Sequence, residues 1–390
     1  MRKNKTTQLI SIALLALVAF LFGGACSSKN ESDGDLPAKS APDLSNHPIY
    51  SNYDFGEDKS VIDIGTQPIG VSPGIIGEIL KHDAVLRAAL TKLGLELRIH
   101  HFLKGADSNF FLHRGDLEVV TGGDMPALTA CANTDIVVAT LIKKGFSSLV
   151  AREHMLITHL KGKKIGYLFG SNAHFALLQS LKDIGLNESD VYLVPLDVSK
   201  MPDALDRGEI DVFSTVEPNT SLALAEYDNF VVIHRSLNSA YLYFARSFVD
   251  RNPEATRLII ASQIRSMGWM REAKDNILEV SRWTIQSREY LTGKKSTINE
   301  HKYATLFKSE LLDVSPVAAL PAQDLESGGT LFREFLFLKN LGKVPAASEW
   351  KKVKACFDLS LIPEILEKAQ SYQLQTYDFS WKTGQIEKDG

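Results

Sequence analysis

From residue 61 onward, short apolar runs alternate with stretches whose apolar residues recur every three or four positions. "VIDIGT" (61–66) predicts a strand. "GIIGEILKHDAVLRAALTKLG" (74–94) predicts one helix, with Ile75, Ile76, Ile79, Leu80, Leu86 and Leu90 on its apolar face and Gly94 as its stop. "LELRIHHF" then reads as a strand, "DSNFFLHRG" as a short helix, "DLEVVT" as a strand, "MPALTACAN" as a helix and "DIVVATLI" (135–142) as a strand. Strands that alternate with helices pair in parallel through right-handed crossovers, which predicts an α/β sheet.

The same order then restarts. "KKIGYLF", "DVYLVPL", "EIDVFST" and "NFVVIH" (229–234) predict strands. "SNAHFALLQSLKDIGL", "VSKMPDALDRG" and "NTSLALAEY" predict helices between them. "FLHRGDLEVVTGGDMP" aligns with "ALDRGEIDVFSTVEPN" at an offset of 93, which pairs Arg114-Gly115 with Arg207-Gly208 and Asp124 with Glu217. Two similar lobes are the economical reading. After residue 250 the pattern turns helical, with a long helix expected over 253–273 and further helices to 380. Chain crossings are expected near 145–160 and 238–248. The first lobe then comprises 59–150 and 245–385, with the C-terminal helices, and the second 151–244. A ligand cleft is expected between the carboxyl ends of the two sheets.

The N-terminus sets the compartment. Arg2, Lys3 and Lys5 precede the apolar "LISIALLALVAFLFGGA", and Cys26 follows at once. Residues 1–25 read as an export signal. Cys26 is expected to be lipidated, making the protein exported and lipid-anchored in the cell envelope; an ordinary signal-peptidase cut at the same place is the alternative. Residues 26–58, rich in Ser, Asp, Asn and Pro, read as a flexible tether. The net charge of −4 and the lack of a basic block beyond the signal argue against a nucleic-acid partner. Beyond Cys26 only Cys131 and Cys356 remain, both in apolar surroundings; a disulfide is permitted but not implied. No CxxC, HExxH or Cys/His cluster with metal spacing occurs, so neither a metal nor a cofactor is expected.

The segments "GDLEVVTGGDMPAL", "LKGKKIGYLFGSNAHFALLQSLKDIGL", "ALDRGEIDVFSTVEPN", "SFVDRNPE" and "KNLGKVPA" occur in an order that resembles the substrate-binding proteins of ABC importers for nitrate, sulfonates and taurine, with related members for thiamine precursors. The resemblance runs from Val61 to Trp350. It implies a type II periplasmic-binding fold, two α/β lobes joined by a two-segment hinge, no catalytic activity, a small-molecule ligand, and an ABC permease with its ATPase as partners of a monomer. Two other functions are compatible with the fold: an enzyme of pyrimidine-synthesising type, whose cysteine-rich motif this chain lacks, and a ligand-sensing subunit of a membrane signalling partner.

Four loops should meet at the cleft: "TQPIG", "TGGDMP", "FGSNAH" and "STVEPN". Helix N-termini there offer free N–H groups to an anion. Gly123 would present its backbone, and Ser171 or Asn172 would cap a helix starting near Ala173 while touching ligand. His174 meets the ligand's anionic end or lies on the helix surface. Gln67 contacts ligand or is an exposed loop residue. Tyr241 and Tyr243 wall the cleft or pack in the core. Asp124 departs from the anion theme: it caps its own helix, or with Glu217 receives an amine or N–H group. Either way the expected ligand is zwitterionic or an N–H-rich heterocycle, aminosulfonate-like or pyrimidine-like, rather than a bare inorganic anion.

Overall fold

The structure, a computed structural model, describes residues 43–55, 58–311 and 314–380. The expected export signal, Cys26 and the first part of the expected tether lie outside the described residues.

The first strand, β1 (Val61–Thr66), leads into α1 (Val71–His82) and α2 (Ala84–Lys92). The single helix expected here is two. Asp83 adopts an extended conformation between them, and its carboxylate accepts the Leu86 N–H at 2.9 Å, so it caps α2 and ends α1. β2 (Glu96–His101), α3 (Gly105–Arg114), β3 (Val119–Gly123), α4 (Asp124–Asn133) and β4 (Ile136–Ala151) complete the first half. The second contains β5 (Lys164–Tyr167), α5 (Asn172–Asp183), β6 (Tyr192–Pro195), α6 (Met201–Asp206), β7 (Val212–Val216), α7 (Asn219–Glu226) and β8 (Val231–Ala245). Seven helices follow: α8 (Arg246–Arg251), α9 (Pro253–Glu272), α10 (Lys274–Thr292), α11 (Glu300–Leu311), α12 (Thr330–Asn340), α13 (Trp350–Lys354) and α14 (Leu361–Glu367).

Among the described residues the eight strands form one sheet in the order β2-β1-β3-β8-β4-β7-β5-β6. β1 lies parallel to β2 and β3, and β5 parallel to β6 and β7, as the alternation predicts. β4 and β8 run antiparallel to each other along their full lengths, from Ile136 opposite Ala245 to Ala151 opposite Val231. One end of this ribbon pairs with β3 and the other with β7, so it is common to both halves.

This corrects the expected crossings. They are not segments beyond the strands but the middles of two long strands. The change from first-half to second-half pairing falls between Lys143, whose partner Ala240 also pairs with Gly123, and Ser147, whose other neighbour is Val216. The lobes therefore divide earlier on both strands than residues 150 and 244. "KKGFSS" and "RSLNS" interrupt the apolar pattern because this part of the ribbon exposes one face, at Phe146, Arg235 and Leu237, and buries polar residues on the other, at Lys143, Ser147, Ser148 and Asn238.

Two further expectations change. The C-terminal helices were assigned to the first lobe, but α12 packs on α4 while its Phe337 ring lies 5.1 Å from Phe175 and 5.2 Å from His174 of α5. The tether also ends sooner. Tyr50 is buried, donates to Asp107 Oδ2 at 2.7 Å and accepts the Leu103 N–H at 2.9 Å. It packs with Tyr53, Phe102 and Phe111. A composition averaged over the polar segment hides these few aromatic residues, whose burial outweighs the cost of ordering the short stretch that carries them. Tyr50→Phe should lower unfolding free energy by about 1–3 kcal/mol, because Leu103 N–H and Asp107 lose a buried partner. Urea titration measures this; unchanged stability would mean the segment does not dock as described.

Candidate functional site

The carboxyl ends of β1 and β3 approach the middle of the β4/β8 ribbon from one side, and those of β5 and β7 from the other. Only the stretch from Lys143 to Ser147 separates them, roughly 13 Å at ordinary strand rise. The N-termini of α1, α4, α5 and α7 follow these four strand ends. The two halves touch here: a Cβ built on Gly123 would stand 3.1 Å from Asn172 Nδ2 across the cleft.

How each helix satisfies its free N–H groups determines the site's character. At α1, the Ser72 N–H and hydroxyl both donate to Glu310 Oε2 from α11, and Lys143 Nζ of the ribbon holds Glu310 Oε1 at 2.8 Å. At α4, Asp124 is buried; Oδ1 accepts the Met125 N–H at 2.9 Å and Oδ2 accepts the Ser239 N–H of β8 at 2.8 Å. At α7, Glu217 Oε2 accepts the Ser221 N–H at 3.1 Å. Burial holds the Glu217 carboxyl above its ordinary range, the charge of Glu310 adds to this, and Arg235 opposes it. At α5 the cap is a hydroxyl: Ser171 Oγ accepts the His174 N–H at 3.1 Å. Beside that mouth Lys343 Nζ lies 4.8 Å from the centre of the Phe169 ring. Three mouths thus hold the chain's own carboxylates, and the fourth holds a hydroxyl with an ammonium close by.

The other expected residues divide between these loops and the core. Gln67 Nε2 donates to the Thr121 carbonyl at 2.7 Å and ties the β1 loop to β3. Gly123 precedes α4 and faces Asn172, the first residue of α5. His174 is buried rather than on the helix surface, among Tyr167, Phe169 and Phe337. Burial lowers its imidazole to about 4, with Lys343 adding to the shift, so the ring is neutral at physiological pH. Its Nδ1 accepts the Gly170 N–H at 3.2 Å, which leaves the proton on Nε2, an atom with no partner. Tyr241 and Tyr243 are fully buried in the core cluster; the Tyr243 hydroxyl donates to Asn109 Oδ1 at 2.7 Å, and the Tyr241 hydroxyl, near Asp124 and Glu334, has no partner among the described residues. Cys131 and Cys356 are buried free thiols, with Cys356 Sγ 3.8 Å from the Cys131 carbonyl.

Sequence reasoning missed Lys143, Glu310, Glu334 and Lys343. Lys143, Glu310 and Glu334 sit in no repeat or quoted motif; Lys343 lies within "KNLGKVPA", a segment with no site role assigned to it, and three of the four come from the C-terminal part of the chain. Among the described residues the buried hydroxyls of Ser148, Thr215, Thr220, Tyr241 and Tyr303 also lack partners; Ser148 stands directly opposite Thr215. A separate hollow of about 720 Å³, lined by Asp58, Lys59, His113, Glu118, Asp135 and Arg251 among others, lies at the amino-terminal ends of the strands, away from this cleft.

Glu334 of α12 is buried beside Asp124, near enough for each carboxyl to act on the other, and its Oε2 has no hydrogen-bond partner among the described residues. Burial raises Asp124 from 3.8 to about 6. Burial, and secondly the Asp124 charge, holds Glu334 well above its ordinary range. The fold favours the protonated forms: the stability Asp124 contributes is fully present below its ordinary value and is lost as pH rises through about 6, and that of Glu334, raised well above its ordinary range, is lost as pH rises further. Glu334→Gln keeps a donor for Asp124 without needing a bound proton. It should be more stable than wild type at pH 8 by about 1–3 kcal/mol, with the gap narrowing toward pH 5. Thermal melts across that range measure it; a pH-independent gap would rule out a proton held between the two carboxyls.

Comparison with known proteins places this architecture. The model of the NMT1-like family matches residues 124–285, from Asp124 through both ribbon strands and α9. A protein of Escherichia coli (strain K12) whose name assigns it to aliphatic sulfonate binding is 30% identical over 169 residues, 40% of this chain and 51% of that relative. The chain therefore spans about half the length of the curated relative it matches. The periplasmic aliphatic sulphonate binding protein SsuA of Escherichia coli superposes with a TM-score of 0.58 at 18% identity, over 76% of this chain and 92% of that one. The alkanesulfonate-binding protein SsuA of Xanthomonas axonopodis pv. citri, bound to MOPS, gives 0.58 at 16%, over 78% and 99%. The periplasmic nitrate-binding protein NrtA of Synechocystis PCC 6803 gives 0.60 at 13%, over 82% and 92%. Residues 124–285 therefore match the NMT1-like family, from one helix mouth through the whole ribbon, and the chain shares the fold of periplasmic sulfonate- and nitrate-binding proteins.

Proposed function

We propose that this protein is the solute receptor of an ABC importer, and that it takes a small polar organic molecule carrying both a nitrogen cation or N–H group and an anionic or acceptor end. The observation that carries the reading is the unequal filling of the four helix mouths. Each helix N-terminus carries roughly half a positive charge. At α1, α4 and α7 that charge already meets Glu310, Asp124 or Glu217. At α5 it meets Ser171, with Lys343 beside it. An amine is favoured toward Glu310 and Glu217, and an anionic or acceptor end toward Ser171 and Asn172. A bare nitrate or a simple sulfonate matches only one of the four mouths. This sets the reading apart from the sulfonate and nitrate receptors the chain resembles. Rotation of the two halves about the β4/β8 ribbon would open and close the cleft, and the closed form would be presented to the permease.

A catalytic reading has less support. Asp124 and Glu217 would be its acid and base, yet each is engaged with the amides of its own helix. Anchoring through a lipidated Cys26 completes the proposal and places the receptor at the membrane surface, where its permease lies.

Native mass spectrometry and thermal-shift measurements with aminosulfonates, amino acids, pyrimidines, methanesulfonate and nitrate test the ligand class. A zwitterion or N–H-rich heterocycle is expected to give the largest stabilisation; nitrate or methanesulfonate giving the largest would sink it. Cys26→Ser should move the protein from the membrane fraction to the soluble one. A mutant that still sediments with membranes would refute lipid attachment at that residue.

A further inference from the structure

Glu310 lies outside the two-fold repeat and outside every motif of the cleft loops, yet its carboxylate stands where an anionic ligand would dock. It comes from α11, 238 positions away from Ser72, and it is buried. Pro73, the third residue of α1, brings no N–H, so the α1 mouth depends on Val71, Ser72 and the Ser72 hydroxyl. Glu310 takes both donors of Ser72. Lys143, also buried, supplies the counter-charge from the ribbon. Gly145 leaves room for the pair: a Cβ there would stand 3.0 Å from Glu310 Oε1 and 3.1 Å from Lys143 Nζ. The cluster therefore has three parts on three elements, a carboxylate on α11, an ammonium on β4 and a helix mouth on α1. It sits at the point of the ribbon where the two halves meet.

A free oxyanion could reach this mouth only by displacing a carboxylate that is tethered, already desolvated and ion-paired. A tethered group competes at the effective concentration its attachment enforces, typically millimolar or above. A ligand amine meets the reverse situation. Glu310 is close enough for its charge to act on Glu217 of the other half, so the cleft presents a carboxylate from each side. The unpartnered buried hydroxyls of Ser148, Thr215 and Thr220 on the second half provide groups able to donate or accept for the rest of a polar ligand.

We propose that Glu310 is a specificity-determining residue: held by Lys143 and Ser72, it fills the anion position of the first half with the chain's own carboxylate and turns the cleft away from oxyanions and toward ligands that bring an amine or N–H group. This rests on the reading of the cleft as the ligand site. It adds the element that separates this chain's ligand class from that of an oxyanion receptor.

The test is a gain of binding. The full chain as wild type, Glu310→Ala, Glu310→Gln and Glu310→Ala/Lys143→Met is titrated with sodium methanesulfonate and with nitrate by isothermal calorimetry in low-chloride buffer. Glu310→Ala opens the mouth and frees the Lys143 ammonium, and it is expected to bind methanesulfonate at least tenfold more tightly than wild type. Adding Lys143→Met should remove that gain. Glu310→Gln keeps the bulk and an acceptor for the Ser72 N–H but discharges the group. It serves if the alanine variant does not fold, and it too should gain at least tenfold over wild type. Equal methanesulfonate affinity in wild type and in a folded Glu310 variant overturns the proposal, as does a gain that survives Lys143→Met. Failure of the receptor reading would look different: wild type would respond to no nitrogen-bearing compound in the thermal screen, whatever the Glu310 variants do.

Discussion

The backbone pairing of β4 with β8 is the constraint on which the rest of the structure depends. Fifteen or so residues on each strand run side by side through both halves of the sheet, so neither half can be assembled without the ribbon. Its end at Ile136–Leu141 and Tyr241–Ala245 completes the β1-β2-β3 layer, and its end at Ser147–Ala151 completes the β5-β6-β7 layer. The strands of the two layers consequently point at each other, carboxyl end to carboxyl end, and four helices begin where they meet. A set of positive helix mouths around a short exposed span of ribbon follows from topology before any side chain is considered.

Side chains then decide what that geometry is for. Proteins of similar fold are named for binding sulfonates or nitrate. Here the charge of the helix mouths is largely answered from within. Asp124 extends the β3–β8 ladder by one more acceptor, beyond the last paired glycine, to the Ser239 N–H. Glu217, its counterpart in the repeat, does the same for the first turn of α7. These carboxylates tie down the loops at the carboxyl ends of β3 and β7.

Much of this was legible in the sequence because it is periodic. Strand and helix alternation, the repeat that relates Asp124 to Glu217, and the serine that caps α5 are local signals, and the structure places each where the pattern puts it. What was not legible lies in contacts between distant residues. The ribbon looks like two strands broken by polar runs because its middle buries polar rather than apolar residues, Lys143, Ser147, Ser148 and Asn238, and so carries no hydrophobic alternation. Asp83 broke an apparently continuous helix because a capping carboxylate on an apolar face does not disturb the 3.6-residue period. Glu310, bonded to Ser72 and Lys143 at separations of 238 and 167, and Glu334 and Lys343, placed beside Asp124 and Phe169, come from far along the chain, and nothing in a single sequence marks that approach. Tyr50 was hidden by its polar neighbours.

The position of α12 has a mechanical consequence. On one side α12 packs on α4, with Glu334 beside Asp124, and on the other Phe337 lies against Phe175 and His174. These two footholds belong to opposite halves of the sheet. A helix with a foot on each bank cannot stay seated on both while the banks turn about the ribbon. Any parting of the halves must slide α12 off its seat on α4 or off the aromatic rings of α5.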